Sequence, residues 1–244
     1  MVNAVVSLSL YNCGILSVKF DEEVHMLFEC SLSAQREAVA NSGVPYNGQH
    51  VMDFIIRKAT SYDNKQIART IAYSFREDFS GFSNDCDRVA KVFENAVVCE
   101  RFIVAEQKGK IVGITGIADC AGRTQYPKLW DCQKQLGFFW GIIVYMAFRV
   151  ELMKPLKLPK TTGFIDILGV LEEARGQGIA KAMLGMAVEL NPQFSEFVLT
   201  VKDNNAPAIK AYETFGFVEY DRVPYRWAKQ AGFEAKVWMK YIQQ

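Results

Sequence analysis

Residues 164–180 read Phe-Ile-Asp-Ile-Leu-Gly-Val-Leu-Glu-Glu-Ala-Arg-Gly-Gln-Gly-Ile-Ala, an apolar run that ends in a charged elbow and a glycine-rich turn. The pattern predicts a strand over 162–170 and a helix over roughly 177–189. The turn between them would leave backbone N–H groups free at the helix N-terminus, where the helix dipole also favours negative charge. The stretch therefore predicts an anion site suited to a phosphate group.

Composition excludes several classes of function. The 28 basic and 27 acidic residues give a formal charge of +1 without a long basic run, which argues against a nucleic-acid partner. The cysteines form no C-x-x-C pair and only His25 and His50 are present, so no metal site is expected. The longest uncharged apolar stretch, 137–148, is too short for a membrane span, and the start does not resemble a signal peptide. These features predict a soluble cytoplasmic protein.

The chain divides at a polar, turn-rich passage over 41–50, which is typical of a linker. We expect an N-terminal extension of unknown role over 1–51 and a folded catalytic domain over 52–244. Inside that domain, Lys108-Gly109 between two apolar runs predicts a hairpin. The insert 119–160 contains a helix over 136–153 that is apolar nearly all round, which predicts burial against the core or a homodimer contact. An acceptor-pocket wall or a membrane-surface role is the less favoured alternative.

A second motif follows the glycine-rich turn. It reads Asn205-x-x-Ala208-x-x-x-Tyr212-x-x-x-Gly216-Phe217, and it accompanies Leu168-Gly-Val170 and Arg175-x-x-Gly178-x-Ala180. Together these motifs resemble the GCN5-related N-acetyltransferase (GNAT) superfamily over about 52–241. Two positions depart from the family pattern, because Glu172 stands where proline is frequent and Ala180 where glycine is frequent.

The resemblance implies an α/β fold with a mixed, mostly antiparallel sheet of six or seven strands flanked by helices. It also implies acetyl-CoA as co-substrate between two splayed parallel strands. A bulge at Gly169 would part those strands and free N–H groups, that of Val170 included, for the acetyl carbonyl. The insert 119–160, expected between strands 3 and 4, is a further departure, since it occurs in only some branches of the family. The positions implied in coenzyme A binding are Leu168, Gly169, Val170, Arg175, Gly176, Gln177, Gly178, Ile179, Ala180, Asn205 and Ala208.

Two residues are candidates for proton transfer. Tyr212 matches the family's general acid, and a phenol of pKa about 10 can protonate a leaving thiolate of pKa about 8.5. Asp166 is a carboxylate in an apolar strand whose alternation would put Phe164, Asp166, Leu168 and Val170 on one face. Burial would raise the pKa of such a carboxylate and suit a general base, and structural pairing is the alternative. Asn205 is also a candidate helix N-cap, and Tyr212 could be ordinary core packing.

Four residues match the part of the family fold that lines the acceptor site: Phe75, Asp78, Phe79 and Phe82. Core or surface packing of the aromatic rings is the alternative interpretation. The resemblance implies transfer of acetyl from acetyl-CoA to a primary amine of a small molecule or peptide, by direct attack in a ternary complex. No cysteine lies in either motif, so no acyl-enzyme is proposed. The alternatives are transfer of a longer acyl group and a non-catalytic acyl-CoA-binding sensor.

Overall fold

The protein is described here by a computed structural model covering residues 54–226 and 228–243. The extension expected over 1–51 lies outside the described residues. The strands are β1 (Ile55–Lys58), β2 (Phe102–Gln107), β3 (Lys110–Ala118), β4 (Thr162–Val170), β5 (Glu196–Lys202), β6 (Val218–Pro224) and β7 (Ala235–Ile242). The helices are α1 (Asn64–Ser74), α2 (Arg76–Phe79), α3 (Cys86–Phe93), α4 (Leu129–Leu136), α5 (Phe138–Glu151), α6 (Ile179–Glu189), α7 (Ala206–Phe215) and α8 (Ala228–Ala231).

The strands form one seven-stranded sheet in the order β1-β2-β3-β4-β5-β7-β6. Neighbouring strands are antiparallel except β4 and β5, which are parallel. This confirms the predicted fold class and the mostly antiparallel sheet. The hairpin predicted at Lys108-Gly109 is also confirmed, because both residues have positive φ, 52° and 76°, as a tight turn between twisted strands requires.

Helices cover both faces of the sheet, and most of β3 and the first half of β4 are therefore buried on each side. On one face, α1, α3 and α5 pack through a cluster that includes Ile67, Phe93 and Phe148. On the other face, α6 packs through Leu184 and Ala187, and α7 joins the same cluster. The apolar residues of α1 and α6 that recur at helical spacing account for these two layers.

The insert between β3 and β4 differs from its prediction as one buried helix over 136–153. It forms two helices, because Gly137 adopts φ 99° and ends α4 before α5 begins. The two helices cross closely at Gly141, where a Cβ would lie 2.5 Å from the Gln133 backbone. Only Gly141, Val144 and Phe148 of α5 are buried. The predicted burial is therefore wrong for most of the helix, since one narrow face is enough to cover the core.

Candidate active site

The central feature of the site is a gap between the two parallel strands. β4 and β5 pair from Thr162–Glu196 to Ile165–Leu199 and no further. Beyond that point β4 stays paired with β3 as far as Val170, and β5 stays paired with β7 as far as Lys202. Each strand therefore has an edge that faces the gap without a ladder partner, a place where an extended ligand chain can meet backbone N–H and C=O groups.

A bulge in β4 coincides with the start of this gap. Gly116 pairs with Ile167 and Ile117 pairs with Ile165, so Asp166 is the extra residue. The bulge implied at Gly169 is therefore wrong in position, because Gly169 stays in register with Ile114. The bulge also reverses the predicted alternation. Phe164 packs against Val198 on one face of the sheet, whereas Leu168 and Val170 pack with Ile179 on the other.

The bulged residue is held by an ion pair that crosses to the insert. The Asp166 carboxylate accepts hydrogen bonds from Arg123 Nη2, from the Thr124 N–H (3.0 Å) and from the Thr124 hydroxyl (2.7 Å). Its side chain is 1% exposed, and that of Arg123 is 10% exposed. Both carboxylate oxygens are thus engaged. This geometry favours the structural alternative for Asp166 over the predicted role as general base.

The glycine-rich turn has the backbone conformation that its sequence indicates. Gly176 and Gly178 adopt φ 77° and 78°, and Gly178 is the N-cap of α6. The first bond of the helix runs from the Ala182 N–H to the Gly178 carbonyl at 3.0 Å. The N–H groups that precede it are among those an α-helix leaves unsatisfied. Residues 175–178 are exposed, and Arg175 Nε donates to the Val170 carbonyl at 3.1 Å, so the turn adjoins the end of β4.

The second motif folds as a capped helix beside this turn. The Asn205 side chain accepts a hydrogen bond from the Ala208 N–H at 3.2 Å, which confirms its N-cap role. Ala208 and Tyr212 pack against the same apolar cluster as Leu168, so α7 and the end of β4 share one face of the sheet. Burial raises the pKa of Tyr212 to about 12. The phenol therefore keeps its proton at neutral pH.

The four residues predicted to line an acceptor site are divided by the structure. A Cβ on Gly169 would lie 2.8 Å from the Phe75 ring, so this ring lies directly against β4. Asp78 forms an ion pair with Lys202 at the end of β5. Phe75 and Asp78 therefore contact the two strands that border the gap. Phe79 and Phe82 instead pack on Phe148, with ring centroids 6.2 and 5.6 Å away, which is the core-packing alternative.

A polar cluster beyond the end of β5 was not anticipated from the sequence. Glu151 accepts hydrogen bonds from the Tyr225 hydroxyl (3.1 Å) and from Lys236 Nζ (2.6 Å). The Tyr225 ring stacks on Phe233 at 4.5 Å between centroids, and Lys202 Nζ lies 5.2 Å from the Phe233 centroid. Burial, with the Glu151 carboxylate beside it, raises the pKa of Tyr225 to about 12. No local pattern in the sequence signals these contacts, since they join the insert to the last hairpin.

No metal-binding group could be found in the part of the chain that the structure describes. Within residues 54–226 and 228–243, no three His, Cys, Asp or Glu side chains are grouped so that they could hold an ion.

Comparison with solved structures gives the same fold. An N-acetyltransferase from Staphylococcus aureus Mu50 aligns over 77% of this chain and 100% of its own, with TM-score 0.53 and 17% identity. A ribosomal-protein-alanine N-acetyltransferase from Brucella melitensis aligns over 78% and 99%, with TM-score 0.51 and 17% identity. The yncA protein of Salmonella typhimurium, solved with its cofactor acetyl-CoA, aligns over 78% and 94%, with TM-score 0.51 and 14% identity. At these identities the likeness establishes the fold alone.

Sequence comparison identifies the family. No curated protein matched the sequence. The family model described as the Acetyltransferase (GNAT) family matches residues 68–217, which is more than half of the chain and includes both motifs. The matched range also contains the parting of β4 from β5 and the glycine turn before α6. The chain belongs to the GNAT acetyltransferase family.

Proposed function

We propose that this protein transfers the acetyl group of acetyl-CoA to a primary amine, by direct attack in a ternary complex. The observation that carries the proposal is the parting of β4 from β5 after Ile165 and Leu199, next to a helix N-terminus with unsatisfied N–H groups. A slot with free strand edges suits the amide-containing arm of coenzyme A, and a helix N-terminus suits its pyrophosphate.

In this proposal the backbone does most of the binding. The pyrophosphate would accept hydrogen bonds from N–H groups in 176–180, which stand at the positive end of the α6 dipole. The Ile179 side chain is buried against Met183, so this residue can contribute only its N–H. The pantetheine would lie along Leu168, Gly169 and Val170. Asn205 and Ala208, at the start of α7, would border it on the same face as Tyr212.

The chemistry would rely on positioning and on one acid. The amine nitrogen attacks the thioester carbonyl carbon while backbone N–H groups of β4 stabilise the negative charge that grows on the carbonyl oxygen. As the C–S bond breaks, Tyr212 gives its proton to the leaving sulfur. Its raised pKa keeps it protonated until that step. Because Asp166 is engaged by Arg123 and Thr124, we propose that the amine proton leaves through water rather than to Asp166.

Calorimetric titration followed by a thiol-release assay separates this proposal from its alternatives. We expect acetyl-CoA to bind with one site per chain and to release free thiol when amines from a small-molecule and peptide panel are added. Tighter binding and faster release with a longer acyl-CoA would favour transfer of that longer group instead. Binding without thiol release on any amine would contradict the proposal and favour a sensor.

A substitution at Gly178 tests the role of the turn. We expect Gly178→Ala to weaken acetyl-CoA binding by roughly 5- to 30-fold. A side chain at φ 78° costs the folded protein about 1–2 kcal/mol, and the turn relieves this strain by leaving the conformation that presents its N–H groups, which binding must then restore. No atom lies within 4 Å of the added Cβ, so crowding would not contribute. Calorimetry on both proteins measures the change.

Gly109→Ala is the matched control for this change. Gly109 has nearly the same φ, 76°, and also has open space at its Cβ, but it lies in the β2–β3 hairpin. We expect a similar loss of stability and no change in acetyl-CoA affinity. If the Gly178→Ala variant and the unmodified protein bound acetyl-CoA with equal affinity, the turn would not be part of the binding site.

A further inference from the structure

The helical insert exposes an unusually apolar surface to solvent. We call it the insert face and define it by six exposed side chains of α4 and α5: Trp130, Phe138, Phe139, Ile142, Ile143 and Val150. Trp130 is 73% exposed, Phe139 79% and Val150 66%. A soluble protein ordinarily scatters such residues singly, and a contiguous group of them marks an interaction surface.

Helix geometry puts three exposed apolar side chains of α5 on one side. Phe139, Ile143 and Val150 follow helical spacing and therefore lie along the same stripe. The buried residues Gly141, Val144 and Phe148 form the opposite stripe, which packs on the core. The helix is thus apolar on both sides, with one side used by the fold and the other open in the described part of the chain.

Unpaired positive charges lie on and next to the two helices that carry this surface. Six basic side chains of the insert are exposed, and none has an ion-pair partner within 54–226 or 228–243: Lys128, Lys134, Arg149, Lys154, Lys157 and Lys160. The acidic side chains of the insert do not balance them, because Asp119 is paired with Arg101 and Glu151 with Lys236, which leaves only Asp131. Four of these cations, Lys128, Lys134, Arg149 and Lys154, lie on α4 or α5 or within three residues of their ends, and we call these four the rim. The two helices therefore carry both exposed aromatic rings and unpaired cations.

We propose that the insert face binds the surface of an anionic phospholipid bilayer, with α5 lying in the plane of the headgroups. Exposed Trp and Phe side chains beside Lys and Arg are the combination that interfacial helices use. The cations at both ends of α5 would meet anionic headgroups while the stripe enters the acyl boundary. At 14 residues α5 is about 21 Å long, and no described helix is long and apolar enough to cross a membrane.

Charge favours a bilayer over a second copy of this chain. A twofold dimer through the insert face would bring the same rim against itself, so its four cations would face cations. Anionic headgroups complement the rim and the apolar stripe together. The insert face is separate from the proposed acetyl-transfer site, because its six side chains lie on α4 and α5 and none lies on β4, on β5 or in the turn before α6.

Sedimentation of the full chain with vesicles tests the proposal. We expect the protein to bind vesicles of phosphatidylcholine mixed with phosphatidylserine, and to bind phosphatidylcholine alone at least tenfold more weakly. Binding should fall as salt rises, since the cations of the rim contribute to it. The double variant Phe139→Ser/Ile143→Ser should lose roughly tenfold in binding because it removes the apolar side chains from the stripe. A thermal melt in the absence of vesicles checks that this variant folds.

Tyr62→Ser is the matched control, because Tyr62 is 92% exposed on a 3-10 turn far from the insert in sequence. It should leave vesicle binding unchanged. Failure of the unmodified chain to bind anionic vesicles would overturn the proposal. So would a dimer in light scattering that Phe139→Ser/Ile143→Ser dissociates, which would make the insert face an interface between copies.

Discussion

Tyr212→Phe is expected to lower turnover by roughly 100-fold while acetyl-CoA affinity stays nearly unchanged. The change removes the hydroxyl that would protonate the leaving sulfur. It keeps the ring, whose centroid lies 5.9 Å from that of Phe217. Because burial raises the pKa of Tyr212 to about 12, the phenol is in its protonated form across the working range of pH. It would lose its proton only as pH rises towards 12. We therefore expect turnover to show no decline from ionisation of Tyr212 between neutral and moderately basic pH.

Steady-state kinetics and calorimetry on the same preparations check this prediction. Tyr220→Phe is the control, because Tyr220 is an exposed tyrosine on β6 that contacts Trp238 rather than the gap. It should keep both turnover and affinity. An equal loss of turnover and affinity in Tyr212→Phe would contradict the general-acid role and would mean that Tyr212 only packs in the core.

Arg123→Ala is expected to destabilise the protein by about 3–5 kcal/mol, because it leaves the Asp166 carboxylate buried without its cation. Arg123 also donates to the Lys154 carbonyl at 3.2 Å, so the change would loosen the join between the insert and β4. Denaturant unfolding followed by circular dichroism measures the difference in the free energy of unfolding.

Arg101→Ala gives the comparison for this ion pair. Arg101 pairs with Asp119 at 3.1 Å, and the two side chains are 25% and 26% exposed, so its loss should cost less than about 1 kcal/mol. If Arg123→Ala were no more destabilising than Arg101→Ala, the Asp166 pair would not hold the bulge. Asp166→Asn adds a kinetic readout: when the folded fraction is accounted for, it should keep its turnover, whereas loss of turnover would restore Asp166 as a base.

Local signals in the sequence predicted the parts of the site that depend on local structure. The glycines at 176 and 178 and the cap at Asn205 follow from backbone chemistry within a few residues. The mostly antiparallel sheet and the gap between its two parallel strands came from resemblance to a family, through the spacing of two motifs. Both kinds of prediction needed no knowledge of distant contacts.

What the sequence could not predict depends on contacts between distant segments. The bulge at Asp166 is held by Arg123, 43 residues away, and nothing in the strand itself distinguishes that register from regular alternation. The exposure of α5 could not be predicted from its composition. An apolar sequence does not indicate how many sides of the helix pack against other elements. Phe82 was predicted to line the acceptor site, with packing as the alternative. It packs on Phe148, a contact with a residue 66 positions away that no local pattern reveals.

The most direct test of acetyl transfer is to identify the product. The purified full chain is incubated with acetyl-CoA and an amine that releases thiol, and mass spectrometry measures N-acetylated amine against free coenzyme A. We predict that the two products form in equal amounts, and that Tyr212→Phe slows both together. Free coenzyme A without acetylated amine would mean hydrolysis, and neither product with any amine would contradict the account.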